Sequence, residues 1–188
     1  MSERQSDNDR RVRRTRRILH EALISLILEK GYERTTVQDV LDRADVGRST
    51  FYAHFRDKEA LLVMSFDGLR DDLRRELGRA SPPDPAAVVA AVFAHSYRHR
   101  DVYRALCGRQ GGSVVYGHLH RLIGGLLSDQ LRPHLKATGS DLPVDVAAEF
   151  YTSAALGLLT WSVDHDHPYR PAELAAMYRT LAAGAGAA

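Results

Sequence analysis

The chain has 188 residues, 44% of them hydrophobic, which is enough for a substantial core in one domain or in two small ones. No apolar run approaches the roughly 20 residues of a transmembrane helix. The N-terminus lacks the apolar run of a secretory signal, and the single cysteine excludes an internal disulfide framework. We therefore expect a soluble, cytoplasmic protein without a membrane partner.

Positive charge is concentrated near the N-terminus. The formal net charge is only +2, but residues 10–17 contain six arginines. A basic segment of this kind suits a polyanion such as nucleic acid, although a solvated tail explains it equally well.

The first predicted helix covers residues 18–28, where apolar side chains recur on one face. Gly31 then offers the left-handed cap that ends a helix. Thr36 provides an N-cap with Asp39 three residues later, so a short second helix is predicted over residues 36–44.

A third short helix is predicted over residues 48–55, after a break at residues 45–47. Phe51 and Phe55 are four residues apart and therefore share its buried side. A longer fourth helix begins near Lys58. The core that fixes the angle between the second and third helices is predicted to comprise Val37, Val40, Leu41, Val46, Phe51 and Phe55.

The rest of the chain reads as further helices. Residues 78–85 are a short connector, and residues 108–112 are a glycine-rich loop with neither a preceding strand nor a phosphate-binding lysine. Five helices are predicted: one from Pro85, then residues 101–107, 114–136, 144–165 and 171–183. No segment alternates like a strand, so the predicted fold class is all-α with about nine helices.

One segment carries a specific signature. Residues 35–62 read TTVQDVLDRADVGRSTFYAHFRDKEALL, and this string closely resembles the DNA-binding domain of the TetR/AcrR family of transcriptional regulators. The family pattern has a threonine-led second helix, then Ser/Gly, any residue, a small residue, Thr, an apolar residue, Tyr, any residue, His/Tyr and Phe. A Lys-Glu-x-Leu step into the next helix follows. The match runs over residues 15–62 without a gap.

The resemblance implies a division of the chain into three parts. The N-terminal part would be a three-helix helix-turn-helix domain that binds DNA, and the C-terminal part a helical domain for ligand binding and dimerisation. The expected bounds are residues 1–14 for a basic arm, 15–62 for the helix-turn-helix domain and 63–188 for the second domain.

The family positions also imply a set of DNA contacts. The expected DNA-binding residues are Thr36, Arg48, Ser49, Thr50, Tyr52, His54 and Lys58. Arg48 and Ser49 match positions that contact bases, Tyr52 matches one that can share this role, and the others match contacts to the phosphate backbone. A competing interpretation is that Tyr52 and His54 merely cover the core of a helical bundle.

The resemblance further implies a homodimer through the last two helices, residues 144–165 and 171–183. Within the final helix, the apolar candidates for this contact are Leu174, Met177, Tyr178 and Leu181. Packing inside a single chain explains any one of these residues equally well.

A ligand site is expected among aromatic side chains on the helices that surround the family's usual pocket. The candidates are Phe66, Phe93, Tyr97, Tyr103, Tyr116, Phe150, Tyr151 and Trp161. Aromatic residues at helical spacing are also typical of plain core, and the sequence does not identify the small-molecule effector.

Other reactive side chains favour no competing site. His118 and His120 are two residues apart and do not share a helix face, so they make a poor metal pair. Residues 165–167 read as a polar loop, and Cys107 reads as a buried, inert thiol. We assign no metal, cofactor or catalytic residue.

The leading hypothesis is a homodimeric repressor that an effector releases from a palindromic DNA operator. Two alternatives remain open. One is an enzyme that uses His95, His99, His118 or His120 as acid or base, and the other is a structural DNA-binding protein without a ligand.

Overall fold

A computed structural model of the protein describes residues 3–78, 84–107 and 112–183. Within these ranges the chain forms nine helices and no strand, which confirms the all-α prediction. The helices are α1 (Glu3–Lys30), α2 (Val37–Ala44), α3 (Arg48–Tyr52), α4 (Lys58–Leu77), α5 (Pro85–Arg98), α6 (Arg100–Cys107), α7 (Gly112–Thr138), α8 (Val144–Asp164) and α9 (Pro171–Ala182). The connector predicted at residues 78–85 and the loop predicted at residues 108–112 lie, except for their ends, outside the described residues.

Local sequence signals set several helix ends. Gly31 has a φ of 84° in the left-handed region, and its amide donates to the carbonyl of Ile27 at 2.8 Å, which closes α1. At the start of α5, the side chain of Asp84 accepts the amide of Ala86 at 2.9 Å, and Pro85 occupies the first helical position.

The start of α1 differs from the prediction. The helix begins at Glu3 instead of residue 18, so the basic segment at residues 10–17 continues directly into the rest of α1. Most side chains of this segment are exposed, so it has no buried apolar stripe for periodicity to detect. Arginine is nevertheless a good helix former, and the segment adds turns to a helix already nucleated by the core.

The end of α3 also differs from the prediction. The helix ends at Tyr52 instead of Phe55. The amides of His54 and Phe55 both donate to the carbonyl of Phe51 at 2.9 Å, so the last residues form a turn with a shared acceptor.

The helix α4 belongs to both halves of the molecule. Its first turns bury Leu61 and Leu62, and its later turns bury Leu69 and Leu73. It packs against α1 on one side and against α5 and α7 on the other, while α8 packs on α7 and α9 on α5. None of the described helices is long and apolar enough to cross a membrane.

Candidate nucleic-acid interface

A complete capping box holds the N-terminus of α2. The hydroxyl of Thr36 accepts the amide of Asp39 at 3.1 Å, and the Asp39 carboxylate accepts the amide and hydroxyl of Thr36 at 2.7 and 2.6 Å. The Lys30 ammonium lies 2.7 Å from the same carboxylate, and its hydrogen bond, followed by those of Thr36, holds the pKa of Asp39 well below its usual range. The first amides of α2 have no helical partner, so this helix end can receive a phosphate.

A tight turn between α2 and α3 sets the angle between the two helices. Asp45 adopts the left-handed conformation (φ 51°, ψ 50°), which aspartate tolerates better than most residues. The amide of Val46 donates to the carbonyl of Leu41 at 3.1 Å, and Gly47 is the extended residue that precedes α3. Of the predicted core residues, Val40, Leu41, Phe51 and Phe55 are buried, and Val37 and Val46 are partly buried.

The other face of α3 is open. The exposed side chains on it are Arg48, Ser49, Thr50 and Tyr52. Phe51 and Phe55 face the core with their ring centroids 5.8 Å apart. Tyr52 touches Phe51 with its ring edge but leaves 51% of its surface exposed, and His54 is partly buried. This face presents a forked cation, two short hydroxyls and a phenol, which are groups that bind phosphates and base edges.

Lys58 ties α4 to the segment before α2. Its Nζ donates to the carbonyls of Tyr32 and Thr35, both at 2.7 Å, and lies 4.1 Å from the centre of the Tyr32 ring. Burial lowers the pKa of Lys58, although Glu33 and Asp39 oppose this shift. Two of its three N–H donors are engaged in the chain, so one is left for the expected phosphate contact, which stays a prediction.

A second tie, which the sequence analysis missed, joins α2 to α1. The guanidinium of Arg43 donates to both carboxylate oxygens of Glu29 at 2.7 Å and to the hydroxyl of Ser25 at 2.6 Å. These groups lie on different helices, so their spacing carries no periodic signal. The exposed pair adds little stability, but its forked geometry fixes the orientation of α2 on α1.

Four arginines form a basic stripe along the first turns of α1. Arg10, Arg13, Arg14 and Arg17 line one shallow groove, because residues three and four apart share a helix face. All four are exposed, and Arg17 also lies 3.8 Å from Glu21. The basic segment therefore presents its charge along a helix.

The eight aromatic residues predicted to line a ligand pocket do not all line one cavity, because Tyr103 and Tyr151 line two different ones, and the set stays a prediction. Phe66, Phe93 and Tyr103 are core residues with exposures of 3, 2 and 0%. Tyr97, Tyr116, Phe150 and Trp161 are exposed. Tyr151 is partly buried and faces a cavity that none of the other seven lines. Helical spacing identifies an apolar stripe, but it does not tell which neighbour covers it.

An apolar cavity lies between α1, α4, α5 and α6, and we call it the junction pocket. Its volume is about 290 Å³, at the small end of ligand pockets. The polar residues that line it are His20, Ser65, Asp72, His95, His99 and Tyr103. Its other lining residues are Met64, Gly68, Leu69, Val102 and Leu106. A smaller cavity of about 220 Å³ lies between α5, α7, α8 and α9.

The last two helices expose an apolar surface, which we call the outer face. It consists of Val146, Phe150, Trp161, Met177 and Leu181, which are 60, 58, 39, 40 and 62% exposed. Leu174 and Tyr178, also candidates for an intermolecular contact, are only 4 and 3% exposed and belong to the core of the chain. An exposed patch of this kind marks an interaction surface.

The remaining histidines and the cysteine lie apart. His118 Nε2 lies 2.9 Å from Glu59, whereas His120 Nε2 lies 3.3 Å from Glu149. Across the described ranges, no group of three potential ligand side chains could hold a metal ion. Burial raises the pKa of the Cys107 thiol well above its usual range, so this thiol stays protonated at neutral pH.

Two family models match the chain. The one described as "Bacterial regulatory proteins, tetR family" matches residues 18–63. The one described as "Transcriptional regulator C-terminal region" matches residues 84–184, which is more than half of the chain.

Individual proteins are similar over most of the chain. It is 27% identical over 183 residues to the HTH-type transcriptional regulator TcmR of Streptomyces glaucescens, covering 92% of this chain and 71% of TcmR. It is 39% identical over 179 residues to the uncharacterized HTH-type transcriptional regulator YxbF of Bacillus subtilis (strain 168), covering 92% of this chain. The chain spans only 46% of YxbF, about half its length. A crystal structure of a TetR transcriptional regulator from Streptococcus agalactiae 2603V shares 25% identity with a TM-score of 0.70, covering 94% of this chain and 98% of that chain.

Proposed function

Because the chain belongs to the TetR family of bacterial transcriptional regulators, we propose that it is a homodimeric repressor that leaves a palindromic DNA operator when it binds a small effector. The observation that carries this proposal is the exposed polar face of α3, held by the capped α2 and the tight turn before Gly47. A polar face on a rigid, short helix is what a recognition helix needs to enter the major groove.

The proposed roles follow from position on this face. Arg48 and Ser49 are exposed in the first turn of α3, so they are assigned to base edges. Thr50, Tyr52 and His54 are assigned to phosphates, and Tyr52 has enough exposed surface to reach a base as well.

Two further phosphate contacts are proposed at neighbouring helix starts. The Thr36 hydroxyl donates its proton to Asp39 and cannot donate it to a phosphate. We therefore assign the phosphate contact to the first amides of α2, with the Thr36 side chain packed beside the phosphate. Lys58 contributes its one remaining N–H at the start of α4.

The proposed domain division keeps the bounds expected from the sequence. Residues 1–14 form a basic arm that contacts DNA, residues 15–62 read the operator, and residues 63–188 bind effector and partner. The arm is part of a helix, so the basic stripe would lie along the phosphates as a rigid unit.

Dimerisation is assigned to the outer face of α8 and α9. Its exposed apolar residues are arranged on two neighbouring helices, and a two-fold axis through them would bury the same residues of both copies. Two recognition helices related by this axis require an inverted repeat in the DNA.

An enzymatic role finds less support in the geometry. His118 and His120 contact different carboxylates, and His95 and His99 lie at the junction pocket. Of the four histidines of the enzymatic alternative, only His95 and His99 lie together, with ring centroids 4.3 Å apart, so this pair is its one remaining candidate.

The test is a selection of duplexes from a random library by the purified protein. We expect an enriched inverted repeat, and placing it across a promoter should lower reporter expression when the protein is present. Binding without any enriched sequence would contradict sequence-specific recognition. Raised expression would contradict repression while leaving DNA binding intact.

A further inference from the structure

The junction pocket lies between the two functional parts of the molecule. His20 enters its lining from α1, which supports the helix-turn-helix, and the remaining lining comes from α4, α5 and α6. A molecule in this cavity would touch α1 and α4 at once. Glu29 of α1 holds α2 through Arg43, and Lys58 of α4 binds the chain segment just before α2.

The polar groups of the pocket define what it can bind. His95 is 8% exposed, and its Nδ1 lies 3.2 Å from the hydroxyl of the fully buried Tyr103. Its Nε2 lies 3.9 Å from the Asp72 carboxylate, which is too far for a hydrogen bond. If the Nδ1 carried the proton, the Nε2 lone pair would face this carboxylate, so the network favours Tyr103 as donor and a proton on Nε2.

This arrangement leaves a donor and an acceptor that lie 3.9 Å apart without a hydrogen bond between them, so one ligand oxygen that lies beside both can bridge them. A hydroxyl oxygen can accept the Nε2–H of His95 and donate its own proton to Asp72, whereas a hydrocarbon can do neither. Ser65 adds a buried hydroxyl oxygen that has no hydrogen-bond partner among the residues described. Buried polar groups without partners are costly, so a ligand that satisfies them gains affinity.

The charge balance opposes an anionic ligand. Burial lowers the pKa of His95 to about 4 and also lowers the pKa of His20, so both are neutral at neutral pH. Arg75 and Arg98 line only an adjoining polar cleft, and each is already paired with a carboxylate. A ligand carboxylate in the apolar cavity would therefore meet the Asp72 carboxylate with no unpaired arginine beside it.

We propose that the junction pocket is the effector site and that it takes an uncharged, apolar molecule of one or two rings bearing a hydroxyl group. The small volume sets the size limit, and the apolar lining selects the ring. The hydroxyl is selected by His95 and Asp72, a donor and an acceptor that do not bond to each other. This proposal rests on the effector-responsive regulation proposed above.

Equilibrium dialysis in the absence of DNA tests the ligand class. The probes are β-naphthol, naphthalene and β-naphthoate, which share a ring system and differ in the hydroxyl and the charge. We expect β-naphthol to bind at least tenfold more tightly than either of the others. Equal binding of naphthalene would overturn the hydroxyl requirement, equal binding of β-naphthoate would overturn the charge argument, and no binding of β-naphthol would overturn the proposal.

A cavity-filling variant tests the location. Gly68 lines the pocket, and a Cβ there would meet no atom within 4 Å, so Gly68→Leu introduces a side chain at the pocket with no clash at its Cβ. We expect it to weaken β-naphthol binding at least tenfold. The control is Gly125→Leu, because Gly125 is equally open, lies within α7 and lines none of the cavities described above. Unchanged binding by Gly68→Leu, or equal loss in both variants, would overturn the location.

A second variant keeps the test independent of the cavity-filling change. Asp72 is partly exposed, so Asp72→Asn removes the charge with little risk to the fold. We expect β-naphthoate to gain at least threefold in affinity and β-naphthol to lose affinity, and an unchanged preference would overturn the role of Asp72. Operator binding is measured separately. A loss of sequence-specific DNA binding would refute the proposed function, whereas the dialysis results would still decide the ligand class and location of the pocket.

Discussion

Substituting Phe150 should dissociate the dimer without unfolding the chain. The ring lies on the outer face and is 58% exposed, which amounts to roughly 100 Å² of ring surface for an aromatic side chain. At about 25 cal/mol per Å², Phe150→Ala forfeits about 2 kcal/mol at each ring, since the Cβ remains. A two-fold interface contains the residue twice, so the loss is about 4 kcal/mol and the dimer Kd rises about a thousandfold.

Sedimentation equilibrium over a range of protein concentrations measures this shift directly. The matched control is Tyr52→Ala, because Tyr52 is also an aromatic residue, 51% exposed, and lies on the opposite functional surface. We expect the control to dimerise like the unchanged protein while its DNA affinity falls. The free energy of unfolding of the Phe150→Ala monomer should stay within about 0.5 kcal/mol of that of the unchanged monomer, as for other surface substitutions.

If Phe150→Ala dimerised at the same concentrations as the unchanged protein, the outer face would not be the dimer interface. Leu174→Asp would not give a comparable answer, because Leu174 is 4% exposed and a buried carboxylate there would unfold the monomer.

Three further predictions concern other parts of the molecule. Arg48→Ala should weaken operator binding by about 1–3 kcal/mol and should weaken binding to random DNA less. Arg56 is an exposed arginine just after α3, so Arg56→Ala should weaken binding to both DNAs equally. Equal losses for Arg48→Ala would assign Arg48 to phosphates. Deleting residues 1–13 should flatten the slope of log affinity against log salt, because fewer counterions are released, and an unchanged slope would separate the arm from DNA. Burial lowers the pKa of His95 to about 4, below the value of about 6.5 in an unfolded chain, so the unfolded state takes up the proton first. Unfolding in urea should therefore become easier between about pH 7 and pH 5, and His95→Gln should reduce this dependence; an identical pH dependence in both proteins would contradict the assigned burial effect.

The sequence predicted those parts of the fold that depend on neighbouring residues. Thr36 and Asp39 form their capping box within one turn, and Gly31 ends α1 through its own φ. The start of α2 and the end of α1 could therefore be predicted from a few adjacent residues. The start of α1 could not be predicted, because most side chains of residues 10–17 are exposed and hydrophobic periodicity detects only buried faces. The end of α3 at Tyr52 depends on two amides, those of His54 and Phe55, that share the Phe51 carbonyl, and the spacing of apolar residues does not encode this.

The exposed face of α3, which we propose reads DNA, could be predicted from the sequence, whereas the junction pocket could not. The face of α3 comes from one continuous segment, so a motif specifies Arg48, Ser49 and Tyr52 together. The junction pocket takes residues from four helices, and none of the one to five positions on each helix is distinctive alone. Aromatic content identified only part of the pocket, since Tyr103 lines it whereas Phe66 fills the core and Phe150 faces outwards.

The position of the junction pocket also constrains how an effector could act. A ligand shifts an equilibrium only by its difference in affinity between two states, so a site that kept one shape in both would regulate nothing. The junction pocket can change shape because residues of α1 and α4 form parts of its wall. The same two helices hold α2 and the segment before it, through Arg43 on Glu29 and through Lys58 on the carbonyls before α2. A change in the angle between α1 and α4 therefore moves His20 relative to the α4 residues of the junction pocket and alters the placement of α2 and α3 in the same movement. In a dimer fixed at α8 and α9, that movement changes the distance between the two recognition helices, and a palindromic site with fixed spacing accepts only one such distance.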